Sequence, residues 1–179
     1  MIPIASTTAK PLGQLVTNSN SLHETCDRLG IDFEKLGVIV VDHGSRRSES
    51  NAALLDVVSM FRQHTSYPLV GLAHMELAEP SLRHAFAELV KAGAQYIVVH
   101  PYFLLPGRHW AQDIPRLAAE AAQQHPGVDY IVTAPLGIHP LMAQIMDDRI
   151  RHCLQHSAGE VESCELCEDQ GKCRERNKS

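Results

Sequence analysis

Val38-Ile39-Val40-Val41-Asp42-His43-Gly44-Ser45-Arg46-Arg47 decides the fold. Four β-branched apolar residues in a row suit a strand buried on both faces, the kind a parallel sheet contains. The chain then breaks at once into Asp-His-Gly-Ser-Arg-Arg. A polar cluster at the end of a buried strand is where an open α/β sheet places its ligands. His43 is of the residue type that ligates metals or moves protons near neutral pH, and Arg46 and Arg47 can grip carboxylates or phosphates in bidentate fashion. The plainer alternative is a polar turn feeding a helix.

Downstream, the same unit repeats. Ser48 is a plausible N-cap, and Leu54, Val57, Val58 and Phe61 recur at helical spacing. Pro68 opens a second strand, Leu69 to Ala73, which ends in His74-Met75-Glu76; Pro80 sits where a helix first turn tolerates it. Leu82, Ala85, Phe86 and Leu89 mark the next helix, and Gly93 suits its end. Tyr96 to Val99 is a third strand, Ile114, Leu117, Ala118 and Ala121 a third helix, and Tyr130 to Thr133 a fourth strand. A last helix begins near Pro140, with Met142, Ile145, Met146, Ile150 and Cys153 along one face. Short apolar strands alternating with helices predict an α/β domain, a doubly wound, flavodoxin-like parallel sheet of four strands. It is expected over residues 37–156. Residues 1–36 read as an irregular extension with a short helix from His23 to Leu29, and 157–179 as a charged, cysteine-rich tail.

The bulk composition excludes several classes. A net charge of −5 argues against a general nucleic-acid binder, which is usually basic. No run approaches the ~20 apolar residues that span a membrane, and no charged-then-apolar secretory leader is visible at the start. Residues 1–25 contain no Arg, so they make a poor complete transit peptide. Three of the five cysteines, Cys26, Cys153, Cys164, Cys167 and Cys173, crowd into the last sixteen residues. That distribution is not the framework of a small secreted domain; it points to a metal or cluster tail on an intracellular protein.

In a parallel sheet, the loops after strands one, two and three gather at one edge. His43, Glu76 and His109 therefore come together, two imidazoles and a carboxylate that suit Fe(II), Co(II) or Zn(II). His74 and His100 end strands two and three and read as satisfied core histidines or supports of the site. Tyr102-Phe103-Leu104-Leu105 is too apolar for a solvated loop and is expected to line a cavity or be covered; beside Arg46, Arg47 and Arg108 it fits a flat polyanionic ligand. In the tail, Cys164-x2-Cys167 with Cys173 is a cluster or zinc pattern. Its fourth ligand would be Cys153, or Cys26 in reserve. Zinc, ligation across chains and a disulfide formed on oxidation stay open.

These three motifs, Asp-His-Gly-Ser-Arg-Arg, Ala-His-Met-Glu-Leu-Ala-Glu-Pro-Ser and Phe-Leu-Leu-Pro-Gly-Arg-His-Trp, together resemble the small class II chelatases, in particular the sirohydrochlorin ferrochelatases of the plant plastid type. The resemblance runs from about Gly37 to Gln155 and on into the tail. It implies insertion of Fe(II) into sirohydrochlorin, the last step of sirohaem synthesis, with Co(II) as the alternative metal. It implies His43, Glu76 and His109 as catalytic and metal-holding residues, and Ser45, Arg46, Arg47 and Arg108 as holders of substrate carboxylates. It further implies a [2Fe-2S] cluster on the C-terminal cysteines (Cys153, Cys164, Cys167 and Cys173), a homodimer, and a place in the chloroplast stroma rather than the cytoplasm. A different class of function, a non-catalytic metal carrier or redox sensor, would use the same residues without a large substrate cavity. A metal-dependent hydrolase is weaker, since no nucleophile elbow or HExxH-like pair is present.

Overall fold

Leu36–Asp42 forms strand β1 of a computed structural model that describes residues 21–161. Six of its seven residues are buried, as a strand covered on both faces requires. Leu69–His74 (β2), Tyr96–Pro101 (β3) and Asp129–Val132 (β4) complete a sheet of order β2-β1-β3-β4. Every neighbouring pair is parallel. The register sets Asp42 beside His74 and Val41 beside Pro101, so the three strand ends open onto one edge.

The helices are Leu22–Leu29 (α1), Ser48–His64 (α2), Leu82–Lys91 (α3), Ile114–Ala122 (α4) and Pro140–Ser157 (α5). The chain divides into two compact units, Met1–Gly137 and Ile138–Ser179. In the first, Ile39, Val41, Ala73, Ile97 and Val99 meet Leu82, Phe86 and Leu89 of α3 and Ile114, Ala118 and Ala121 of α4. On the opposite sheet face Val38, Val40 and Val70 meet Leu54 and Val58 of α2. This is the doubly wound α/β architecture that the strand and helix periods predict.

Several local expectations differ. Ser48 is the first residue of α2, and Arg47 occupies the cap position without a side-chain cap bond. Ser45 has already turned the chain there, with its hydroxyl accepting the Arg47 N–H. Pro80 precedes the α3 cap Ser81 rather than entering the helix. The segment before residue 37 is not all loose extension: Ser21 and Glu24 form a capping box, Gly30 ends α1 at φ 69°, and Cys26 and Phe33 pack with Leu36 in a small third cluster. Cys26 is thus a core residue. Cys164, Cys167 and Cys173 lie outside the described residues.

The second unit is described through α5. Its N-cap is His139, whose ring Nδ1 accepts the Leu141 N–H at 3.2 Å. The apolar residues Leu141, Ile145, Met146, Ile150 and Leu154 are exposed, and so is Cys153. Among the described residues no helix is long and apolar enough to cross a membrane.

Candidate metal centre at the carboxyl edge of the sheet

The loop after β1 is tied down before any ligand arrives. Asp42 Oδ1 accepts the Gly44 N–H at 2.9 Å and lies 2.6 Å from His74 Nδ1. A carboxylate only accepts, so the His74 ring donates. His74 is 2% exposed, a satisfied core histidine whose work is to hold the Asp42 carboxylate, which in turn holds the turn behind His43. Gly44 sits at φ 81°, and a Cβ there would come within 2.0 Å of the Glu76 carbonyl oxygen. Only glycine lets the second loop approach this closely.

That approach zips the two loops together. The Met75 N–H donates to Asp42 O at 2.8 Å and the Glu76 N–H to His43 O at 3.1 Å, continuing the β1–β2 pairing past the strand ends. The side chains follow: His43 Nε2 lies 2.8 Å from Glu76 Oε1. His43 Nδ1 faces the Gly44 carbonyl at 3.1 Å. Both neighbours are acceptors, so whichever ring nitrogen carries the proton donates to the one it faces. Leu77, next in the chain, takes a left-handed φ of 66°.

His109 comes from the third loop. Its ring centroid is 5.1 Å from that of His43, edge-on at 70°. It starts a π-turn, His109–Asp113, that runs into α4. Pro115 accounts for the wide turn, because a proline inside regular α-helix would clash with the carbonyl four residues back and donate nothing to it. The turn puts Asp113 Oδ2 2.9 Å from His109 Nδ1. Trp110 Nε1 donates to the Thr133 carbonyl at 2.9 Å and moors the turn beyond the end of β4.

The structure therefore brings His43, Glu76 and His109 to one edge, as a touching pair with a neighbour. Among the described residues no three His, Cys, Asp or Glu side chains already form a metal cage. The pair is half exposed, with His43 at 42% and Glu76 at 51%, so an ion can reach it from solvent.

Ser45 is half-buried and clamped at both backbone groups by Asn51 of α2, which accepts its N–H at 2.9 Å and donates to its carbonyl at 2.8 Å. Arg46, Arg47 and Arg108 are exposed. The apolar third loop departs from expectation. Phe103 packs toward the core, but Leu104 and Leu105 are 60% and 61% exposed and Tyr102 is exposed as well. Backbone bonds from Tyr102 N–H to Val41 O and from Leu136 N–H to Phe103 O anchor the first two residues of the run, and the next two point outward. Sequence reasoning missed four supports: Asp42, Asn51, Asp113 and Thr133. Asp113 carried a signal in its i,i+4 spacing from His109; the other three depend on tertiary contacts.

The chain has known relatives. Residues 37–153 match the CbiX family model. Over 143 residues the chain is 52% identical to the chloroplastic sirohydrochlorin ferrochelatase of Arabidopsis thaliana, covering 80% of this chain and 64% of that protein. It is 30% identical over 135 residues to the sirohydrochlorin cobaltochelatase of Methanothermobacter thermautotrophicus, covering 67% of this chain and 94% of that one. Among solved structures, the sirohydrochlorin chelatase SirB of Bacillus subtilis subspecies spizizenii, in complex with cobalt, superposes with a TM-score of 0.63 at 30% identity, over 66% of this chain and 50% of that chain. The matched stretch thus spans under two thirds of the Arabidopsis protein and half of the Bacillus one. A family model that matches most of the chain, on a fold and a site edge of this kind, identifies the chain as a member of the CbiX family.

Proposed function

We propose that the chain is a sirohydrochlorin ferrochelatase, inserting Fe(II) into sirohydrochlorin and releasing two protons. The observation that carries this is the convergence of His43, Glu76 and His109 from three successive loops, with His43 in contact with Glu76. Insertion exchanges two pyrrole N–H protons for one divalent cation. The site must therefore hold a metal and accept protons, and neutral imidazoles beside a carboxylate do both. His43 is assigned as the principal ligand and base, His109 as its partner, and Glu76 as the negative charge that attracts the cation and relays a proton. Ser45, Arg46, Arg47 and Arg108 surround this edge and are assigned to the ring carboxylates; exposed Leu104 and Leu105 offer its flat face an apolar surface.

Co(II) insertion is the second reading, supported by the cobaltochelatase among the relatives. A side-by-side insertion assay with the two metals decides it from the ratio of rates. In the same assay His43→Ala is expected to lose roughly 10²–10⁴-fold in rate with the circular dichroism spectrum unchanged; retained activity would falsify the assignment. A carrier or sensor would instead bind metal without binding the tetrapyrrole, so absence of a sirohydrochlorin absorbance shift favours that class.

Four thiolates are the donor set of a [2Fe-2S] cluster, and Cys153, Cys164, Cys167 and Cys173 are proposed to hold one. Cys153 fits so far as the fold describes it, since it is exposed near the end of α5. When bound, such a cluster supplies one-electron chemistry, which metal insertion does not consume. A homodimer is proposed from two observations: the exposed apolar residues of α5, and the match of this chain to only 50% of the Bacillus chain. The chloroplast is the proposed compartment, after the Arabidopsis relative.

A further inference from the structure

We infer that Asp113 is a positioning residue that fixes His109 in the Nδ1–H form and presents its Nε2 lone pair to the metal; this rests on the proposed role of His109. Three observations converge on it. The Asp113 carboxylate lies 2.9 Å from His109 Nδ1, and as an acceptor it forces that nitrogen to carry the proton. The π-turn places residues 109 and 113 over one another, closed by the Ile114 N–H bond to the His109 carbonyl. The Trp110 Nε1–H bond to the Thr133 carbonyl at 2.9 Å ties the turn to the chain just past β4. One ring nitrogen is thereby occupied, and Nε2 is the only one left for a cation approaching the His43–Glu76 pair. A carboxylate behind a ligating imidazole both orients the ring and raises its basicity.

The plain alternative is a helical i,i+4 surface pair, worth a few tenths of a kcal/mol and silent toward metal. His109 is 48% exposed and Asp113 25%, so stability alone does not separate the two. Histidine-nitrogen NMR on the full chain at mildly alkaline pH does. Wild-type protein is expected to give His109 protonated at Nδ1. Asp113→Ala is expected to revert it to the Nε2–H form that a free imidazole favours, and Asp113→Asn, which keeps an acceptor oxygen, to retain much of the wild-type form. Titration with Co(II) alone, followed by its visible absorption, is expected to show affinity lower by roughly 10–100-fold in Asp113→Ala, with the melting temperature nearly unchanged. An unchanged tautomer, or unchanged cobalt affinity where His109→Ala loses it, overturns the positioning role. If His109→Ala itself binds cobalt as wild type does, the metal reading of the site falls too, and this inference with it.

Discussion

His100 lies one residue before the end of β3, with its Nδ1 2.7 Å from the Thr133 hydroxyl. That hydroxyl spends its proton on the Ala134 carbonyl at 3.0 Å, so the imidazole donates and the hydroxyl accepts. Burial holds the His100 pKa below its ordinary 6.5, because the charged ring would lose its water. The sign follows from linkage. Above pH 6.5 the ring is neutral in both folded and unfolded chains and contributes no slope. Below it the unfolded chain binds the proton first, so stability falls as pH drops toward the lowered folded value. Urea denaturation at pH 7.5 and 5.5 is expected to show an acid loss that is smaller in His100→Gln. An equal loss in the variant would remove His100 from the account. Thr133 thus serves two residues, His100 through its hydroxyl and Trp110 through its carbonyl.

The loop carrying Ser45, Arg46 and Arg47 is held by the start of α2, through the two-point Asn51 clamp. In the proposed reaction, loosening it scatters the groups assigned to the ring carboxylates without touching the metal donors. Asn51→Ala is therefore expected to raise KM for the tetrapyrrole several-fold with kcat little changed; a fall in kcat alone would argue against this division of labour. At this scale the sequence was readable wherever one period dominates. Val38 to Val41 announces a buried strand, and Leu82, Ala85, Phe86 and Leu89 announce a helix face, because burial imposes those spacings. Parallel topology then brings His43, Glu76 and His109 to one edge without further information. The π-turn was not readable, since it arises where Pro115 meets a helix that has already started. The outward turn of Leu104 and Leu105 was not readable either, because backbone bonds to Val41 and Leu136 decide it, and those partners are remote in sequence. Capping failed at Ser48 for a related reason, Ser45 having already supplied a turn.

At the scale of the whole molecule, the unfinished business is the apolar surface of α5. Five large side chains, Leu141, Ile145, Met146, Ile150 and Leu154, are exposed on one helix, apolar surface for a partner to cover. The proposed homodimer predicts that Ile145→Lys combined with Ile150→Lys halves the mass measured by sedimentation at micromolar concentration; an unchanged mass would place the contact elsewhere. The first unit holds a different consequence. His43 is joined to Glu76 twice, through its carbonyl and through its ring, so the first two loops are fastened along their backbones as well as at their tips. Amides in exposed loops ordinarily trade their hydrogens for deuterium within moments. Those of Met75 and Glu76 are expected to exchange at rates set by opening of the β1–β2 edge instead, which makes them built-in reporters of whether the site is assembled before any metal or ring is added.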